Sequence, residues 1–145
     1  MARADDIRRL KESCEEAIKQ FYPKDETTYA NLAVDYVARC CGYNGFIGLT
    51  VNLIIDKAKK SADFCRVEPD VAQKLANDGR LVIAGIQDDV NGHIAICYPG
   101  AAVPSKKWGG RLAPVVANVG ALDRQKIWGA NFAFGQEPKY YAWIG

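Results

Sequence analysis

The pattern of hydrophobic positions changes character near the middle of the chain. In the first half, apolar residues recur every three or four positions, which is the spacing of amphipathic helices. This spacing predicts one helix over about 4–21, a second that is capped at Thr27 or Thr28 and ends near Cys41, and a third over about 49–60. A short fourth helix is expected to begin near Pro69 and to end at the Asn-Asp-Gly sequence of 77–79.

The second half alternates short apolar runs with turns. The runs at 80–86 and 93–98 predict a β-hairpin with a longer loop, and up to three more strands are expected over 113–120, 128–135 and 139–145. Helices therefore come first and an antiparallel sheet of about five strands follows. This order predicts an α+β fold.

Length and composition limit the classes of protein that the chain can represent. At 145 residues it is expected to form a single domain, with an N-terminal helix in 1–26 and a core in 27–145. The net charge of +2, with scattered basic residues, argues against a nucleic-acid partner. No apolar run approaches the ~20 residues of a membrane span, and no signal peptide is evident, which predicts synthesis in the cytoplasm.

The cysteines and the single histidine do not form a recognisable metal motif. There are five cysteines, an odd number, and no pair has Cys-x-x-Cys spacing. We therefore predict free thiols, with no metal and no organic cofactor. Asp88 and Asp89 precede His93 in the hairpin turn and could reach its imidazole, although acids in a turn are more commonly just exposed.

His93 opens the second strand of the predicted hairpin, directly after Gly92. On a strand it shares a face with Ala95 and Cys97, and the small Ala95 would let a helix pack closely. An imidazole at a strand end can act as a general base or simply donate a structural hydrogen bond. Its position in the sequence leaves both readings open.

The start of the second predicted helix would suit a nucleophile. The dipole and free N–H groups of a helix N-terminus favour a thiolate and can form an oxyanion hole. The chain has Ala30 at this point. Cys40 and Cys41 lie at the opposite end of that helix, and Cys97 is four strand residues from His93, about 13 Å along the strand. These three thiols are therefore expected to be core residues.

Three segments together resemble a known family. The hairpin RLVIAGIQDDVNGHIAICYPG, the helix ANLAVDYVARCCGY and the segment GLTVNLIID resemble the NlpC-type papain-fold cysteine peptidases that cut peptidoglycan stem peptides. Within that superfamily they look most like type VI secretion amidase effectors and phage-type cell-wall amidases. The resemblance covers roughly 27–144, and its clearest departure is the missing cysteine at position 30.

The resemblance implies a mechanism, a substrate and a site. Position 30 would carry the nucleophilic cysteine, His93 would be the base and Asn118 would orient the imidazole. Asn31, Asn52 and Trp108 are candidate substrate-binding residues. The implied partners are the peptidoglycan stem peptide and an immunity or lysis protein. The implied route is delivery to the cell wall by a secretion machine or by phage lysis.

Two accounts of Ala30 remain open. It is an engineered substitution of a catalytic cysteine, which would leave the helix almost intact, or the natural residue of an inactive relative, unless the alignment with the family is out of register at this position. The first account predicts a peptidoglycan amidase or endopeptidase. The second predicts a binding protein with the same fold. A cysteine amidase that acts on a non-wall amide is a third possibility.

Overall fold

The computed structural model describes residues 3–24, 28–87, 92–120 and 125–145. It contains five α-helices, one 3₁₀ turn and eight strands within these ranges. The helices are α1 (Arg3–Gln20), α2 (Ala30–Cys40), α3 (Val51–Lys60), α4 (Pro69–Asn77) and α5 (Ala130–Ala133). The strands are β1 (Phe64–Val67), β2 (Val82–Ile86), β3 (His93–Cys97), β4 (Val103–Pro104), β5 (Leu112–Ala113), β6 (Val115–Asn118), β7 (Lys126–Gly129) and β8 (Lys139–Trp143).

Six of the strands form one sheet in the order β1-β8-β2-β3-β6-β7, and β4 pairs with β5 separately. Every neighbouring pair is antiparallel. The predicted α+β class and the antiparallel sheet are therefore confirmed. The sheet has one more strand than the five expected, because β1 pairs with β8 at the edge. With four residues and one buried position, β1 is too short to show a strand period.

One face of the sheet is covered by the N-terminal helices. Gly85 of β2 pairs with Ile94 of β3, and a Cβ placed on Gly85 would lie 2.9 Å from Cγ1 of Ile55 in α3. Ile94 and Ile96 therefore point toward α2 and α3, because side chains two apart on a strand share a face. We call this the helical face. The other face carries His93, Ala95 and Cys97.

Helix α1 is packed into the core of this domain. Leu10, Cys14 and Ala17 are each at most 2% exposed. At the end of the helix, Gln125 Nε2 donates to the carbonyl oxygens of Ile18 at 2.8 Å and Phe21 at 3.0 Å. The same side chain accepts the backbone N–H of Gly120 at 3.0 Å. The Gln125 side chain thus links the end of α1 to Gly120, which follows β6.

The helix starts differ in detail from the sequence expectations. Thr27 lies outside the described residues, and the cap of α2 is Tyr29, whose side chain makes no capping hydrogen bond. Helix α3 begins at Val51 rather than 49, because Thr50 Oγ1 accepts the Leu53 N–H at 3.4 Å. The predicted α4 is confirmed at Pro69–Asn77.

The strand predicted over 128–135 is wrong for most of its length. β7 ends at Gly129 and the chain turns into α5. The Ala130 N–H donates to the Pro114 carbonyl at 2.8 Å, which turns the backbone away from the sheet. Lys107 Nζ then donates to the carbonyls of Asn131 at 2.6 Å and Phe134 at 3.1 Å. These tertiary contacts override the local apolar pattern.

Candidate active site

Polar side chains collect at one end of the six-stranded sheet. His93 starts β3, Asn118 ends β6, Lys126 starts β7 and Lys139 starts β8. The antiparallel register pairs Asn118 with Lys126, and brings all four residues to the same end. We call it the polar end. It is where the sequence places most of the chemistry-bearing residues of the second half of the chain.

His93 is held in a defined orientation at the polar end. Its Nε2 lies 2.6 Å from Oδ1 of Asn118, which is 1% exposed. Because an amide oxygen only accepts, Nε2 carries the hydrogen, and Nδ1 of the neutral ring keeps its lone pair. The Phe134 ring packs at 4.9 Å from the imidazole, at 52° to it. A half-buried imidazole fixed in this way can take up a proton through Nδ1.

Position 30 is the first residue of α2 and lies toward the same end of the sheet. Ala30 is 6% exposed and lines a small apolar cavity with Ile94 and Val119. These two residues directly follow His93 and Asn118 in the sequence. About 10 Å³ of the cavity is open to the centre of a water molecule. That is barely the space for one water, and the apolar walls offer it few partners.

Strand alternation limits how position 30 can meet the imidazole. Ile94 points to the helical face, whereas His93 and Asn118 project from the other face with Phe134 beside them. A contact between position 30 and the imidazole therefore has to be made round the end of β3. The pairing of His93 with Asn118 is present in the structure, and the contact of position 30 with His93 stays a prediction.

The start of α2 offers backbone donors that the helix itself does not use. The first N–H groups of any helix have no intrahelical partner. Tyr29 supplies no side-chain cap, so these N–H groups are not occupied by it. Asn31 Nδ2 instead donates to the Leu49 carbonyl at 3.1 Å, and so ties α2 to the segment before α3. This gives Asn31 a structural contact close to the nucleophile position.

The two other predicted binding residues lie in different surroundings. Asn52, near the start of α3, has its side chain against Gly92, so that a Cβ on Gly92 would collide with Oδ1 of Asn52. Asn52 thus lies next to the residue that precedes His93. Trp108, in the 3₁₀ turn Lys106–Trp108, is only 9% exposed and packs in the core. Asp88 and Asp89 fall outside the described residues.

Three of the five cysteines are poorly suited to nucleophilic chemistry. Burial raises the pKa of Cys14 and of Cys97 well above the ordinary thiol value. Burial and the neighbouring Cys40 raise the pKa of Cys41 to about 11. Few thiolates therefore form at neutral pH at these three positions. Cys97 is thus confirmed as a core residue, whereas Cys40 and Cys41, which were also expected in the core, are only half-buried.

Sequence reasoning missed Phe134 as a neighbour of the imidazole. The apolar pattern of 128–135 predicts a strand there, whereas the place of Phe134 against His93 depends on α5, which the local pattern does not predict. Within the parts of the chain that the structure describes, no group of three or more His, Cys, Asp or Glu side chains could hold a metal ion. No helix in those parts is long and apolar enough to cross a membrane.

Comparison with known proteins adds no family to these observations. No protein-family model matches the chain, and no curated protein matches it.

Proposed function

We propose that the chain has the fold of the papain-like, NlpC-type cysteine hydrolases and the site of a peptidoglycan amidase or endopeptidase, with its nucleophile missing at position 30. The observation that carries the proposal is the 2.6 Å contact between His93 Nε2 and Asn118 Oδ1. It leaves Nδ1 as the basic atom, at the end of the sheet to which the N-terminus of α2 also points. The resemblance of the hairpin and of α2 to that family supports the same assignment.

A cysteine at position 30 would supply the missing chemistry. Its thiolate would attack an amide carbonyl, and backbone N–H groups at the start of α2 would hold the oxyanion. The imidazolium of His93 would give its proton to the leaving amine as the C–N bond breaks. Water, deprotonated by His93, would then hydrolyse the thioester and restore the thiolate. Asn118 would hold the ring in the required tautomer throughout.

The wall substrate rests on the family resemblance. It points to an amide of the stem peptide, to delivery through a secretion machine or phage lysis, and to an immunity or lysis protein as partner. A cysteine amidase acting on another amide would use the same residues. Digestion of purified muropeptides, with identification of the bond that opens, separates these substrates.

Restoring the sulfur tests the mechanism directly. We expect Ala30→Cys to react with iodoacetamide at neutral pH faster than any native thiol, and to cleave muropeptides. Ala33→Cys is the matched control, since Ala33 lies about one turn further along the same helix and is similarly buried at 4% exposure. Two results would contradict the mechanism. One is equally slow labelling of the two variants. The other is an unchanged labelling rate of the Ala30→Cys thiol when His93 is also replaced by Ala.

A second candidate is a catalytically inactive binding protein of the same fold. The observation that favours it is the burial of the Ala30 methyl in an apolar cavity wall while His93 faces the other side of β3. In that case the Ala30 protein binds a stem peptide or a partner protein, and Ala30→Cys gains no hydrolysis. Calorimetric titration of both forms with the same muropeptide distinguishes the two candidates.

A further inference from the structure

A second cleft lies at the polar end, on the helical face. It has a volume of about 310 Å³ and runs between α3 and the ends of β2 and β8. Its walls include Lys59, Gln87, Gln136, Glu137 and Lys139. Ile86 also borders it, and Ile86 pairs directly with His93 in the β2–β3 ladder. The cleft is therefore one strand away from β3, although the imidazole itself projects from the opposite face of the sheet.

The described walls of this cleft carry an excess of positive charge. Glu137 is its acidic residue, and Arg111 Nε donates to both carboxylate oxygens of Glu137, at 2.8 and 3.0 Å. The charge of Glu137 is thus only partly balanced from outside the cleft, because Arg111 also pairs with Glu68 at 3.3 Å. Two ammonium groups, those of Lys59 and Lys139, remain without an anionic partner among the residues that the structure describes.

The two lysines are placed differently. Lys59 Nζ donates to Gln87 Oε1 at 3.0 Å, and Gln87 Nε2 donates to the Asn52 carbonyl at 3.1 Å. This chain of contacts holds Lys59 against the end of β2. Lys139 is exposed at the start of β8, across the cleft. One ammonium group is thus held by a hydrogen bond, and the other lies at an exposed position on the opposite wall.

We propose that this cleft binds a carboxylate group of the ligand, held between Lys59 and Lys139. Two ammonium donors with nearby amide side chains can hold a carboxylate through charge-assisted hydrogen bonds. One part of this proposal rests on the proposed function. If the protein hydrolyses a peptide amide, the carboxylate in the cleft belongs to an acidic residue next to that amide. The binding of a carboxylate by the cleft does not depend on a nucleophile at position 30.

The experiment uses the Ala30 protein and glutarate as the probe. Titration of the ¹⁵N-labelled protein should shift the Gly85 and Gln87 amide signals, and glutaramide, which has the same length without charge, should not. The double variant Lys59→Met with Lys139→Met should bind glutarate about tenfold more weakly, as expected for the loss of two partly exposed ion pairs. Added salt should weaken the parent's binding.

Lys60→Met is the matched control. Lys60 lies next to Lys59 on α3 but pairs with Asp56 at 3.1 Å and does not border the cleft. It should leave glutarate binding unchanged. Equal binding of glutaramide, or equal loss in Lys60→Met and in the double variant, would overturn the proposal. Because the readout is binding to the Ala30 protein, an Ala30→Cys variant without hydrolysis would count against the proposed function and not against the cleft.

Discussion

The two ends of the six-stranded sheet are built from different side chains. At one end, Tyr43 and Phe46 from the α2–α3 connection pack on Phe64 and Trp143, with ring centroids 4.8 to 5.7 Å apart. We call this the aromatic end. The polar end carries His93, Asn118 and two lysines instead. One end is closed by apolar rings, whereas the other presents hydrogen-bonding groups and a cleft.

The two ends of the sheet contribute differently to stability and to the candidate site. Phe46 is fully buried and Phe64 is 6% exposed, so the aromatic end contributes burial of apolar area to stability. The polar end contributes less burial and holds its side chains by individual hydrogen bonds. Substitutions at the first end should therefore change stability. Substitutions at the polar end should mainly change the tautomer or the hydrogen bonding of one side chain.

The largest effect is expected at the aromatic end. Phe46→Ala should lower the free energy of unfolding by about 3–5 kcal/mol, because it empties a fully buried ring site. Urea denaturation followed by circular dichroism measures this loss. Ile47→Ala is the control, since Ile47 is 59% exposed and its truncation should change stability by no more than about 0.5 kcal/mol. Similar losses in the two variants would remove the distinction between the ends.

A smaller effect is expected at the polar end. Asn118→Ala should cost about 1–3 kcal/mol, because it leaves the buried side of the imidazole without its acceptor. More specifically, the imidazole of the variant should no longer favour the tautomer that carries its hydrogen on Nε2. The ¹⁵N signals of the imidazole report this, and they are unambiguous because the chain has one histidine. Asn31→Ala, which removes an amide contact to Leu49, should leave those signals unchanged.

The smallest effect concerns the buried thiol of Cys97, at the end of β3 away from His93. Burial raises the pKa of Cys97 above the ordinary value of 9.0, so the folded state keeps a proton that the unfolded state releases. Stability contributed in this way is complete below about pH 9 and decreases as the pH rises further. The decrease is at most about 1.4 kcal/mol per pH unit for each such thiol.

Cys97→Ala tests this pH dependence. The variant should show a shallower loss of stability above pH 9 than the parent, whatever its stability at pH 7. Cys65→Ala is the control, because Cys65 is an exposed thiol. Denaturation curves at several pH values between 7 and 10.5 provide the comparison. Parallel pH profiles for the parent and Cys97→Ala would show that this thiol does not contribute.

The sequence predicted most of the helical half and part of the site. Helices α1, α3 and α4 follow the apolar spacing closely, because their buried stripes are long enough to show the helical period. The hairpin of β2 and β3 was also predicted, as was Asn118 as the acceptor for His93. The spacing of apolar residues and the residues of a turn are local features of a sequence, and the three helices and the hairpin contain them.

The elements that were missed depend on contacts that are remote in sequence. β1 exists because β8, more than seventy residues later, pairs with it. α5 depends on Pro114 and Lys107, and it alone brings Phe134 to the imidazole. The lysine cleft joins α3 to the start of β8. No local pattern in 128–135 or around Lys139 predicts these contacts.

Gln125 has a consequence for how this protein can change over time. Its side chain bonds the end of α1 and also the backbone at Gly120, two residues after Asn118. Because these acceptors are backbone carbonyls, a gene exchange that replaced the N-terminal segment alone would keep the hydrogen bonds only where the new helix ended at the same place beside Gln125. The segment that opens the chain and the strand that orients its histidine are thus expected to be inherited together.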